Sequence, residues 1–303
     1  MPTAPGTILL AGATGFVGRN LYPALCAAGY VVRCGSRDPD SARRKHPDRD
    51  WVRFDADLPR SVPAALAGTK AAIYLVHHLA AAGDYEAHEE RAAVGLSVAA
   101  AAAGVERIVY LGGVLPRGRA SKHLRSRLHT GLVLRSGPTP TFELRASMIV
   151  GAGSDSFELA KEISTRAPVL LFPDWLASRS QPVAIADVVV AILTALRLPT
   201  AAGGVYALPG PETLSAREIL RRIARAAGNH PPALRLPFLP RSVAGQLVAR
   251  LARRTPAVGR ELALGLGTDL TAADDGIFAL LPDHVRQPFD DAVRQALCAP
   301  SYL

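Results

Sequence analysis

Two stretches of the chain hold residues whose types and spacing suit chemistry. The first, LLAGATGFVGRN (9–20), reads as an apolar run, then Gly12-x-x-Gly15-x-x-Gly18, then a helix-forming run. A glycine at the tight turn tolerates unusual backbone angles. A second lets the backbone approach a ligand, and a third lets the helix pack closely on the strand. The helix start then offers free N–H groups and a positive dipole end, which fits a pyrophosphate. The second stretch, SKHLRSR (121–127), sets His123 and Arg127 four residues apart, on one side of a helix. An imidazolium donates a proton near neutral pH. Arginine stays protonated and instead holds a hydroxyl, a phosphate or a carboxylate. So close a guanidinium favours the neutral imidazole, which suits the pair better to gripping an anion than to giving up a proton. The plainer alternative makes His123 a polar group in a first helical turn and Arg127 a surface residue.

The elements that must position these residues alternate. Strands are predicted at 7–13, 30–37, 50–58, 70–78, 106–113 and 141–151. Helices are predicted at 18–29, 61–67, 84–103 and 121–136. In the last of these Ser121 is the N-cap, and Leu124, Leu128 and Leu132 make an apolar spine at four-residue spacing. Short apolar runs alternating with helices mean a Rossmann-type α/β fold, a doubly wound parallel sheet with helices on both faces. After residue 151 the pattern loosens and prolines mark connections. An extended piece from 181 leads into a helix with Asp187 as N-cap, a strand follows at 203–210, and SARE (215–218) has the form of a capping box. Helical periodicity continues over 229–303. The expected organisation is a nucleotide-binding domain over 1–150, with 181–208 returning to it. A smaller, mainly helical substrate region covers 151–180 and 209–303.

The end of the second strand chooses the dinucleotide. An acid there would bind a ribose 2′-hydroxyl, and an arginine a 2′-phosphate. RCGSRD (33–38) places Ser36 and Arg37 at that point, with Arg33 close by and Asp38 one position too late. The reading is NADP(H) in preference to NAD(H).

The bulk numbers exclude several classes. Of 303 residues 49% are hydrophobic and 20% charged, enough to bury a core and too apolar for disorder. The net charge of +9 comes from arginines spread along the chain, with no basic–aromatic tract, so nucleic acid is not an expected partner. The apolar stretches 92–105 and 183–195 fall short of the roughly 20 residues that span a bilayer. Cys26, Cys34 and Cys298 form no metal or disulfide spacing. With no signal peptide in view, a reduced, cytoplasmic setting and no metal are expected.

The glycine motif, FDADL (54–58), AAGVERIVYLGG (102–113) and VAIADVV (183–189) together resemble the extended and atypical short-chain dehydrogenase/reductases. The nearest branch is the NmrA-like NAD(P)H-binding proteins. YLVHH, HLRSR, LRASMIVGAGSDSFE and SRSQPVAIADV resemble a bacterial subgroup with a DUF2867-type C-terminal region. The resemblance implies that Gly12, Gly15 and Gly18 hold the pyrophosphate, with Thr14 and Phe16 in the same loop. It gives Ser36 and Arg37 the adenosine 2′-phosphate and Asp55 the adenine amino group. Leu75, Val76 and His77 would line the ribose and nicotinamide end, with His78 a further candidate and Gly112 bordering the cofactor. The helix of His123 and Arg127 would face the nicotinamide.

Against that family the chain departs at every catalytic position. The usual Ser position falls on Gly112-Gly113, the Tyr on His123 and the Lys on Arg127, and the helical Asn is absent. Two readings follow. One is an NADPH-dependent oxidoreductase acting on a small hydrophobic substrate with His123 and Arg127 as its non-standard catalytic pair, and with a homodimer as its candidate assembly. The other is a non-catalytic NADP(H)-sensing regulator or assembly protein. The intact cofactor motif favours the first.

Overall fold

The computed structural model describes residues 6–58, 60–77, 85–116, 118, 120–240, 243, 246 and 268–299. Along the chain run β1 (Thr7–Ala11), α1 (Phe16–Ala27), β2 (Val31–Ser36), α2 (Pro39–Lys45), β3 (Asp50–Arg53), α3 (Ser61–Leu66) and β4 (Ala71–Tyr74). Then come α4 (Tyr85–Ala102), β5 (Arg107–Gly113), α5 (Lys122–Ser136) and β6 (Thr141–Ala146). The second half holds β7 (Ile149–Val150), α6 (Asp155–Arg166), β8 (Leu170–Phe172), β9 (Arg179–Ser180), β10 (Val183–Ala184) and α7 (Ile185–Arg197). It closes with β11 (Gly204–Leu208), β12 (Leu214–Ser215), α8 (Ala216–Ala226), β13 (Ala233–Arg235) and α9 (Phe289–Cys298).

One sheet of seven strands, ordered β11-β6-β5-β4-β1-β2-β3, carries the architecture. The pairs β1–β2, β1–β4, β2–β3 and β4–β5 are parallel, and the reversal of order at β1 and β4 is that of a doubly wound Rossmann-type sheet. Strands β1, β4 and β5 are buried almost throughout, which is why they read as unbroken apolar runs.

The chain forms two compact units. The first comprises residues 1–113, 126–145 and 189–206, and the second 114–125, 146–188 and 207–303. The core of the first joins Leu9, Phe54, Leu66, Tyr74, Tyr110 and Leu134. That of the second joins Phe157, Phe172, Ile219, Ile223, Phe289 and Val293. The capping box on α8 is present, with Ser215 and Glu218 bonded reciprocally.

Four expectations need correction. The strand expected over 141–151 is two strands. After Ala146 the chain leaves the main sheet, Val183 N–H donates to the Met148 carbonyl, and β7 pairs with β10 instead. The strand expected over 50–58 ends at Arg53, because the Ser61 hydroxyl accepts from Asp55 N–H and donates to the Asp55 carbonyl, closing a turn. Asp187 does not cap a helix: α7 starts two residues earlier. Its buried carboxylate lies 2.9 Å from His284 Nε2 and accepts from Gln287 N–H at 3.0 Å, which pins the chain just before α9. The leucines of α5 are not its buried spine: Leu132 is 51% exposed. The buried side holds His123, Ser126, Thr130, Gly131 and Leu134 instead. Of the helical periodicity read over 229–303, the part at 247–267 lies outside the described residues, and the described part contains α9.

Candidate functional site

The glycine loop has the geometry of an anion cradle. Gly12 sits at φ +92°, where a side chain would be strained, and a Cβ there would press on Leu75. Gly15 N–H donates to the Gly12 carbonyl at 3.0 Å and closes the turn. A Cβ on Gly18 would strike the Gly12 carbonyl and the Ala13 backbone, so α1 packs against the loop only because residue 18 has none. The first backbone bond of α1 runs from Arg19 N–H to the Gly15 carbonyl. The amides of Phe16, Val17 and Gly18 are therefore left over by the helix. No side chain caps them and no acid stands in the first turn. Thr14 and Gly15 are exposed at the rim. This cradle fits a pyrophosphate.

At the end of β2, Ser36 Oγ accepts from Asp38 N–H at 3.2 Å and donates to the Asp38 carbonyl at 3.0 Å. The Asp38 carboxylate caps α2 by accepting from Ser41 N–H at 2.9 Å. Arg33, near in sequence, is committed elsewhere. It donates to the Ala65 and Ala67 carbonyls at 3.1 and 2.7 Å, closing the end of α3, and lies 3.7 Å from Asp50. Arg37 is exposed and holds no ion pair among the described residues. It is the cation of this strand end left to meet a ligand.

Asp55 follows β3, half-buried, with its carboxylate accepting from Asp57 N–H at 3.1 Å. Leu75 continues the sheet register, its N–H donating to the Ala11 carbonyl at 3.0 Å, and Val76 packs on the core. His77 comes next; His78 lies outside the described residues.

Within the first unit, Arg127 meets His77. Arg127 Nη2 is 2.8 Å from His77 Nε2 and donates to the Leu111 carbonyl at 3.1 Å. Tyr110 donates its hydroxyl to the Arg127 carbonyl at 3.0 Å, and its ring meets His77 edge-on at 6.0 Å. Burial pushes the Tyr110 phenol up, partly offset by the Arg127 charge, so it stays a protonated hydroxyl. Burial likewise raises Tyr74, whose ring lies 6.1 Å from that of Tyr110. Beneath these rings Ser126 donates to the buried Glu89 of α4.

His123 is buried at 9% exposure, one helical turn ahead of Arg127 on α5. Ser121 caps the start, accepting from Leu124 N–H at 3.2 Å. The sequence set Arg127 beside His123 on one helix face; the structure adds His77, from the end of β4, as a neighbour of Arg127. Gly112 lies in β5, where a Cβ would meet Tyr110 and Glu143. Glu143 was missed altogether. It is fully buried and bonded to Arg135 and Arg145 at 2.8 Å each, and its only signal was a lone acid within an apolar strand, TFELRA.

Among the described residues no cluster of three or more His, Cys, Asp or Glu side chains is placed to hold a metal ion. No described helix is long and apolar enough to cross a membrane.

Residues 12–129 match the family model described as NAD(P)H-binding. No curated protein matches the chain significantly. Many solved structures do. One is gox2253, at 20% identity and TM-score 0.73, covering 96% of each chain. Another is the Citrobacter sp. triphenylmethane reductase complexed with NADP(H), at 17% identity and TM-score 0.72, covering 96% of this chain and 99% of that one. A third is a short-chain dehydrogenase/reductase superfamily protein from Agrobacterium tumefaciens with bound NAD, at 22% identity and TM-score 0.60, covering 76% of this chain and 85% of that one. At such identities the likeness is one of fold; the reductase was solved with NADP(H) and the A. tumefaciens protein with NAD.

Proposed function

We propose that this protein is an NADPH-dependent oxidoreductase of the atypical, NmrA-like kind, acting on a small hydrophobic substrate. The observation that carries the reading is the glycine cradle with its leftover amides, followed at the next strand end by an unpaired Arg37. The cradle binds the pyrophosphate, Arg37 the 2′-phosphate and Asp55 the adenine amino group. Leu75, Val76, His77 and Gly112 border the nicotinamide side. The bound dinucleotide supplies a hydride, and the chain's task is to orient the acceptor and manage the proton. His123 passes a proton to the atom that gains negative charge as the hydride arrives, the oxygen of a carbonyl, and Arg127 holds oxygen ligands near the ribose.

The test is direct. A fluorescence titration should give NADPH tighter binding than NADH, and equal affinities overturn the cofactor choice. A screen of carbonyl, enone and imine compounds should reveal NADPH oxidation. His123→Ala should then cost about 10²–10⁴-fold in kcat. Full turnover in both His123→Ala and Arg127→Ala removes them from the mechanism.

A second reading, a non-catalytic NADP(H) sensor, draws support from the end of β5. Gly112 offers no hydroxyl, and the adjacent Tyr110 hydroxyl is buried and spent on the Arg127 carbonyl. Under this reading NADPH binds and no compound of the panel is reduced.

A further inference from the structure

Helix α8, AREILRRIARA, carries Arg217, Arg221 and Arg225 at four-residue spacing along one side. Its apolar positions, Ile219, Leu220 and Ile223, are buried in the core of the second unit. Arg222 is spent on Glu212 and Asp290. Arg217 and Arg221 meet the end of β8 instead. The Arg221 guanidinium lies 4.7 Å over the ring of Phe172, the last residue of that strand. Arg217 Nη2 donates to the Pro173 carbonyl at 2.8 Å and to Asp174 Oδ1 at 3.3 Å. Strand β13 adds a third cation. Arg235 stands opposite Phe172 in the parallel ladder, and its Nε and Nη2 donate to the same Asp174 oxygen at 3.3 and 3.1 Å.

Three guanidiniums therefore gather around residues 172–174 and share the Asp174 carboxylate. Among the described residues Arg221 has no acidic partner; the ring beneath it is its contact. Arg217 Nε is buried with no hydrogen-bond partner. The nearest acid on α8, Glu218, is held by the Ser215 N–H and hydroxyl in the capping box. Three arginines against one carboxylate leave a clear positive excess, and arginine cannot relieve it by giving up a proton. Nothing in the chain's own packing needs this excess. The side chains of Arg235 and Asp174 are open to solvent, so a ligand reaches them without any part of the fold opening.

We propose that this cluster binds a phosphate dianion, either the free ion or the monoester of a small molecule. The dinucleotide cradle lies in the first unit and the cluster in the second, so this is a separate site that takes an effector or a second ligand. The match is one of charge and of shape. A phosphate monoester carries close to two negative charges at neutral pH, where a carboxylate carries one. A guanidinium fork meets two phosphate oxygens at once. The cluster is also set in advance. Phe172 supports Arg221 from below, and Asp174 holds Arg217 and Arg235 on one side. Asp174 is thus a positioning residue, and the donors that meet the anion are those of Arg221 and Arg235.

Calorimetric titration of the full chain with inorganic phosphate at about pH 8, where phosphate is largely dianionic, tests the site. The wild type should bind it saturably, and acetate at the same ionic strength should not compete. Arg221→Gln and Arg235→Gln should each weaken phosphate about tenfold. Arg225→Gln removes the same charge from the same helix outside the cluster and should leave binding unchanged. Arg37→Ala should leave it unchanged as well. Phenyl phosphate identifies the source: tighter binding than the free ion assigns a monoester, and weaker binding assigns the free ion. The proposal is overturned if the wild type does not bind phosphate, or if Arg225→Gln weakens it as much as Arg221→Gln does. It is also overturned if Arg37→Ala abolishes binding while both cluster variants keep it, which would put the ion at the dinucleotide's 2′-phosphate position. Should Arg221→Gln fail to fold by circular dichroism, Arg235→Gln decides, since that side chain is 70% exposed.

Discussion

The carboxylate of Glu143 stands in the space that a side chain at Gly131 would fill. Gly131 is on α5 and Glu143 on β6, so the helix that carries Arg127 rests on a buried charge rather than on an apolar surface. Arg135 and Arg145 each hold one oxygen of that carboxylate at 2.8 Å and reach partly to solvent. Gly131→Ala forces a methyl against a carboxylate that two guanidiniums keep from swinging away. Overpacking costs about 1–3 kcal/mol, against a helix gain of about 1 kcal/mol at most. The variant should be destabilised by about 1 kcal/mol, read from a shifted urea midpoint with unchanged slope.

Glu143→Gln removes the negative charge and leaves two arginines facing one another. Breaking a buried pair from one side costs about 3–5 kcal/mol. Because both arginines are partly solvated, the low end applies, about 3 kcal/mol by the same measure. A loss below about 0.5 kcal/mol would mean that the triad is screened like a surface pair.

Arg37 offers the test of cofactor choice. A hydrogen bond to a charged group contributes about 1.5–3 kcal/mol, or at least tenfold in affinity. Arg37→Ala should weaken NADPH by that factor and leave NADH as it was. The same variant should bind NADPH less steeply against salt, because one phosphate contact is gone. If NADPH and NADH weaken together, Arg37 supports the loop instead of reading the 2′-phosphate.

The sheet was legible from sequence because its central strands are buried on both faces and its helices are punctuated by glycine. The glycine cradle was legible for the same reason: every part of it lies within twelve consecutive residues. What was not legible is what the chain brings together from afar. Arg127 and His77 are 50 positions apart, and His284 and Asp187 are 97. Periodicity misplaced the buried side of α5 because it seeks an apolar stripe. That side is built from Ser126, Thr130 and Gly131, since its neighbours Glu89 and Glu143 are carboxylates that need donors and room. The break in the strand over 141–151 escaped notice because both halves are apolar and only the pairing partner changes.

Acid should loosen the second unit through Arg222. This side chain donates to Glu212 at 2.5 Å and to Asp290 at 2.7 Å, which ties α8 to the start of α9. The Arg222 hydrogen bonds hold both carboxyls below their usual values, and Phe289 N–H adds to the effect on Glu212. Carboxyls depressed in the folded state stabilise it fully above their unfolded values near 4. That contribution is lost as pH falls through the lower folded values. Stability should therefore decline below about pH 4. Arg222→Met should lie below wild type at pH 7 and converge with it in acid, as followed by circular dichroism. A constant gap between the two at every pH would show that Arg222 contributes by packing on Phe289, over which it lies at 5.1 Å, and not by charge.

The thiols give a reporter for opening of the first unit. Cys26 and Cys298 are exposed, whereas Cys34 is fully buried in β2. Burial pushes the Cys34 thiol up to about 12, with Arg49 pulling weakly the other way. A thiol needs both exposure and a thiolate to react, and Cys34 has neither in the native protein. At pH 8, Ellman's reagent should modify two thiols quickly and the third only as the strand is released. The slow phase should then accelerate with urea in step with the loss of structure. Three equal rates in the native protein would mean that β2 opens freely, which its central place between β1 and β3 argues against.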